Sequence, residues 1–178
     1  MFTVRLAKRE CADPSKIEYF LKHAQTGFLG MSLGDQPYVV PMNFTWWNGA
    51  IYVHGAEEGR RAQYLRANAN VCFTISEHYG TVTSPVPAHT DTAYMSVVIQ
   101  GRASFVTDID EATEAMQSML DKYVPGFYDQ PLASSHVEKY RSSMGSKTTI
   151  MKVDPIAITA KENASDPEQM FRPGMKLR

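Results

Sequence analysis

Apolar positions change their spacing several times along the chain, and each change predicts an element. Asp13 followed by Pro14 opens a helix, the aspartate as N-cap and the proline at the first helical position. Ile17, Phe20 and Leu21 then recur on one face, and the helix ends before Thr26-Gly27. From Gly27 to Ser76 the texture becomes short β-type runs over residues 28–33, 38–46, 50–54 and 71–76, the pattern of an antiparallel meander. Gly34-Asp35 turns the first pair of strands and Asn48-Gly49 the second, because both dipeptides tolerate the positive φ of a tight hairpin. Between the third and fourth runs, Ala62, Leu65 and Ala69 lie at helical spacing, so a short helix crosses over with Arg60 and Arg61 in its first turn.

A polar, proline-bearing stretch over 78–92 precedes a strand at 93–99 that continues through 101–106, where Gly101 predicts a bulge or sharp bend. Asp108 caps the next helix, whose buried stripe is Ala112, Ala115, Met116, Met119 and Leu120. A loop with Pro125, Gly126 and Pro131 leads to a further helix over 134–143, and the last strand runs over 148–153 and resumes over 156–159. After Lys161 the periodicity stops. The expected organisation is one domain over 1–161 and a C-terminal arm over 162–178, loose or folded over a partner. The fold class is α+β, a small antiparallel six-stranded barrel with peripheral helices.

The 178 residues, 43% hydrophobic and 21% charged, suit one ordinary hydrophobic core. A formal net charge of −1 leaves no global positive field for nucleic acid. No apolar run approaches the ~20 residues of a membrane span, and the first residues lack the pattern of a signal peptide. A cytoplasmic protein with no membrane or nucleic-acid partner is expected. Cys11 and Cys72 belong to no metal-type spacing and read as free thiols, Cys72 as a small core hydrophobe. His78, His89 and His136 sit in loop-like contexts with no regular spacing, which gives no support to a metal site.

Candidate chemistry concentrates in PYVVPMNFTWWNGAIYVHGAEEGRRAQYLRANANVCF. Pro41 cannot donate to a ladder, so its strand must face an edge, a bulge or a ligand. The next strand ends in His54-Gly55-Ala56, and a loop delivers Arg60 and Arg61 to a helix N-terminus. Paired guanidiniums beside free helix amides form a plausible phosphate socket, although arginines at a helix start also serve as ordinary solvated surface. His54 likewise has two readings, a group near a reacting centre or a strand-end hydrogen bond. Of Trp46 and Trp47, adjacent on a strand, at most one packs inward, and the other covers a surface or interface. Of the ten methionines, Met42 is the one placed near a cofactor.

This stretch, followed by TAYMSVVIQGRASFVTDIDEATEAM, resembles the pyridoxamine 5′-phosphate oxidase-like superfamily, the FMN-binding split barrels. The likeness runs from the first strand to Lys161 and is nearest to the nitroimidazole-resistance (Nim) branch. The resemblance implies that Val39, Val40, Pro41, Met42 and Asn43 line the flavin ring, with main-chain groups on its polar edge. His54 and Gly55 would lie near the ribityl chain or phosphate, Arg60 and Arg61 would hold the phosphate, and Ser96 would touch the ring. It further implies a homodimer with FMN at the interface, and His54 as the catalytic residue near cofactor and substrate. The tail MFRPGMKLR lacks the Arg-x-His segment of pyridoxamine phosphate oxidase itself, which argues against that activity.

The function expected is an FMN-dependent oxidoreductase that reduces a small electron acceptor such as a nitro compound or free flavin. NADH, NADPH or a redox partner would be the donor, a nicotinamide visiting rather than residing because no GxGxxG fingerprint is present. The alternative is a non-catalytic protein of the same fold that stores or senses flavin, or that binds haem. The tail offers no histidine as axial ligand, which favours flavin.

Overall fold

The computed structural model describes residues 4–141, 145–164 and 167–177. Helix α1 (Pro14–His23) starts where Asp13 accepts from the amides of Ser15 and Lys16. Strands β1 (Thr26–Leu33), β2 (Gln36–Asn43), β3 (Thr45–Trp47) and β4 (Ala50–Ala56) follow. Helix α2 (Arg60–Ala67) leads to the long pair β5 (Asn70–Val82) and β6 (Asp91–Phe105). Helices α3 (Ile109–Tyr123) and α4 (Ser134–Glu138) precede β7 (Thr148–Asn163). The predicted hairpins form as expected, with positive φ at Gly34, Asn48 and Gly49.

Among the described residues all pairings are antiparallel, in one seven-stranded sheet of order β2-β1-β5-β6-β7-β4-β3. The expected count of six is therefore corrected to seven, because the single run 38–46 breaks at Phe44 into β2 and β3. Those two strands sit at opposite edges of the sheet yet are one residue apart in sequence. In a flat sheet the edges would be six spacings, roughly 29 Å, apart. The chain from Asn43 to Thr45 spans at most about 7.6 Å. The sheet must roll up until its edges nearly meet, and with no ladder between β2 and β3 the barrel stays open.

Phe44 makes that crossing with no strand neighbour, so α3 supplies its partners. Its amide donates to the Tyr123 hydroxyl at 3.0 Å, and its carbonyl accepts from Lys122 Nζ at 3.0 Å. The Phe44 ring is fully buried, edge-on to Phe73 at 5.3 Å, and lies 3.7 Å from the Lys122 ammonium. The end of α3 thus acts as a staple across the seam.

The inner face of the roll is the main core, built on Leu29, Met31, Ile51, Val53, Phe73, Ile75, Val97 and Ile99 and closed by Phe20 and Leu21 of α1. A second cluster packs Ala112, Ala115, Met116 and Met119 of α3 against Ala50 and Tyr52. β4 is consequently buried on both faces from Ala50 to Val53, which accounts for its unbroken apolar run.

Two further expectations change. Both ends of the polar stretch 78–92 are strand, since β5 continues to Val82 and β6 starts at Asp91, while 83–90 is loop with a 3-10 turn at Pro87–His89; cross-strand pairing overrides local polarity at those ends. The helix expected over 134–143 spans only Ser134–Glu138, and residues 142–144 fall outside the described part. The predicted irregularity at Gly101 is present as a register shift. A Cβ there would stand 2.6 Å from the Asp154 carbonyl oxygen, so only glycine allows the close approach. β7 carries on to Asn163, and residues 169–171 lie along the end of β5, with Phe171 N donating to Thr81 O at 2.8 Å.

Candidate functional site

Side chains alternate along β4, and at its end this alternation separates the candidate residues. Ile51 and Val53 point into the roll, while Ala50 and Tyr52 point toward α3. Gly55 continues the first set and His54 the second.

The glycine leaves space that Arg61 fills. A Cβ on Gly55 would lie 2.5 Å from Nη2 and 2.8 Å from Cζ of that arginine, so the guanidinium rests directly on the bare backbone. Its Nη2 donates to the Ala56 carbonyl at 3.0 Å, and Nη1 lies 3.9 Å from the Met42 sulfur. Arg60, on the preceding position, stacks over the Tyr38 ring at 5.3 Å, and Tyr38 packs against Tyr64. Among the described residues neither guanidinium meets a carboxylate within ion-pair distance. Burial pushes the Arg61 guanidinium below its usual value, a sign of a cation held without its counter-ion. Gly59, the N-cap of α2 at φ 104°, supplies no side-chain cap, so the first amides of that helix face the same region unclaimed by a side chain.

β2 is one edge of the sheet, the first of the three settings that Pro41 allowed, with that proline opposite Phe28 of β1. Its alternation divides the five expected ring-lining residues. Val40 and Met42 pack against the inner core, whereas Val39, Pro41 and Asn43 are exposed on the outer face, Val39 at 59%. Ser96 also lies on the outer face, paired with Ser76 and Lys161. It is three strands from β2, roughly 14 Å away. One chain therefore gathers Tyr38, Met42, Gly55, Arg60 and Arg61 at one end of the roll, and leaves Ser96 apart.

His54 is on the other side of β4. Its Nδ1 lies 3.1 Å from the Met119 sulfur and its ring is 6.0 Å from that of Tyr140. Burial first, and the Arg61 charge second, hold its pKa below the ordinary histidine value, so the imidazole is neutral at pH 7. It borders a cleft of about 610 Å³ between β4, α3 and α4, lined mainly by apolar side chains.

Sequence reasoning did not single out Tyr38 as a platform for Arg60 or Met119 as the partner of His54. Tyr38 carried a usable signal, since it shares the strand period of Val40 and Met42. Met119 carried none, because its position on the α3 stripe reads only as core.

A family model described as Pyridoxamine 5'-phosphate oxidase matches residues 13–162. No curated protein matches the chain. Among solved structures, the chain is similar to a candidate 5-nitroimidazole antibiotic resistance protein from Bacteroides thetaiotaomicron, at 26% identity, 85% coverage of both chains and a TM-score of 0.68. It is also similar in fold to the flavocytochrome Anf3 from Azotobacter vinelandii, at 20% identity, with 94% of this chain and 77% of that one covered and a TM-score of 0.75. An FAD-binding protein from Mesorhizobium loti shares the fold at 20% identity, with coverage of 88% and 98% and a TM-score of 0.58.

Proposed function

Because the chain belongs to the pyridoxamine 5′-phosphate oxidase family, we propose that it binds FMN and works as an oxidoreductase on a small electron acceptor, with nitro compounds the first class to test. The observation that carries the reading is the pair of guanidiniums, without carboxylate partners among the described residues, at the uncapped start of α2. A phosphate dianion suits that arrangement, because Arg offers paired donors and the helix terminus adds partial positive charge. Arg61 is held in advance by the Ala56 carbonyl and Arg60 by the Tyr38 ring, so little side-chain freedom is lost on binding. The residues present therefore fit the phosphate end of the cofactor.

The outer face of β2 and β1, with Val39 and Phe28 exposed beside the free edge, would take the flat ring. Exposed apolar side chains on that face are also what a second copy would cover, in keeping with a homodimer that completes the site from both subunits. Ser96, far from the cradle within one chain, would enter such a site only as part of the shared outer face. When bound, the flavin supplies the electron or hydride transfer, and the protein contributes binding, orientation and exclusion of water. NADH or NADPH is the proposed donor. The similarity to the Bacteroides protein is the support for nitro compounds as acceptors.

The test starts from the visible spectrum of purified protein and the identity of the chromophore released by heat. FMN bands are expected; a Soret band would replace this reading with haem binding. Arg60→Ala/Arg61→Ala should weaken FMN binding by at least about tenfold, each charge-assisted contact contributing roughly 1.5–3 kcal/mol. Anaerobic addition of NADPH and a nitroimidazole should bleach the flavin and then reoxidise it, whereas a protein that only stores flavin would show no acceptor-dependent reoxidation.

A further inference from the structure

Across β4 from the arginine cradle, we propose that the cleft between β4, α3 and α4 is a second ligand site, which binds a planar, uncharged heteroaromatic molecule carrying an N–H donor. At about 610 Å³ it has the size of a small-molecule site. Its walls are the thioethers of Met116 and Met119, the Val137 side chain and the Tyr140 ring. Thioethers and aromatic rings favour the flat face of another ring. Among the described residues no lysine or arginine lines the cleft, and the one carboxylate that does, Asp129, is exposed. An anion would find no counter-ion there.

The polar anchor is His54. The Met119 sulfur beside Nδ1 can only accept, so the proton sits on Nδ1, and Nε2 keeps a free lone pair. Among the described residues nothing donates to Nε2, which fits a ligand bringing its own N–H. A separate observation points the same way: Phe127, Tyr128 and Tyr140, beside or lining the cleft, are 73%, 59% and 40% exposed. Soluble chains seldom leave three aromatics in water around one apolar cleft without an occupant. The backbone of Tyr140 is fixed at both ends, its amide on Val137 O and its carbonyl on Thr148 N, so this wall is pre-formed.

The experiment is isothermal titration of the whole protein with 2-phenylbenzimidazole, and with its N-methyl analogue, which keeps the shape and removes the donor. Saturable binding of one molecule per chain is expected, weakened about tenfold by N-methylation, the value of one hydrogen bond. Met119→Trp, which fills the cleft, and Tyr140→Ala, which removes an exposed wall and spares the core if the first variant does not fold, should each weaken the parent probe by a similar factor. Saturating FMN should leave probe binding unchanged. Absence of saturable binding, equal affinity for the two probes, folded variants that bind as the parent does, or displacement by FMN would each overturn the proposal. Failure of the flavin reading would show in the spectrum and leave this titration unaffected.

Discussion

Gly55→Ala isolates the arginine cradle without touching a charged residue. At this position glycine serves space rather than backbone conformation, since its φ is outside the positive range that penalises other residues. The new methyl would meet Nη2 of Arg61 at 2.5 Å and Cζ at 2.8 Å, where ordinary contact begins at 3.4 Å. The guanidinium must therefore retreat, Nη2 by close to 0.9 Å from 2.5 to 3.4 Å, and it is the mobile end of a side chain, so it can. A shift of that size breaks the bond to Ala56 O and misaligns any bond to phosphate. Losing one charge-assisted hydrogen bond costs roughly 1.5–3 kcal/mol, about 10- to 150-fold in FMN affinity. Folding stability should stay within about 1 kcal/mol of the parent, because no backbone has to move and alanine restricts the unfolded chain more than glycine. Quenching of flavin fluorescence on titration into apo-protein gives the affinity, and a urea transition gives the stability. Parental FMN affinity in a folded Gly55→Ala protein would refute the placement of the phosphate on Arg61. A large drop in stability would instead show that the packing around Gly55 is rigid.

Two further outcomes test the fold around the site. Tyr123→Phe removes the hydroxyl that accepts from Phe44 N and donates toward Gln25 O or Phe44 O, leaving polar groups at the seam unsatisfied; a destabilisation of about 1–3 kcal/mol is expected from the urea midpoint. Because the folded protein holds the His54 pKa below 6.5, it binds fewer protons than the unfolded chain on the acid side of that value. Stability should fall as pH drops through about 6.5 and below, and His54→Gln should flatten that part of the profile; an unchanged slope would show that the imidazole is not desolvated.

Much of the site could be read before any coordinates, and the reason is that its parts are local. Pro41 called for an edge, a bulge or a ligand beside its strand, and β2 is an edge. Asn48-Gly49 set a hairpin through backbone sterics alone, and Asp13 and Asp108 capped their helices through amides two and three residues on. Gly59-Arg60-Arg61 put two cations in the first turn of a helix by adjacency. Periodicity marked the α3 stripe because burial on one helix face repeats every three to four residues.

What the chain could not disclose depends on groups far apart in sequence. The break at Phe44 has no local signature, since the run on either side is apolar and β-prone; it exists because a rolled sheet brings its two edges within one residue and α3 offers Tyr123 and Lys122 to the orphaned backbone. The separation of His54 from Gly55 follows from strand alternation, but which face meets Arg61 and which meets Met119 was decided by α2 bringing Arg61 to one side of β4 and α3 bringing Met119 to the other. Local sterics and periodicity write elements into a sequence, whereas the partners of each side chain arise only when remote segments compete for the same buried volume.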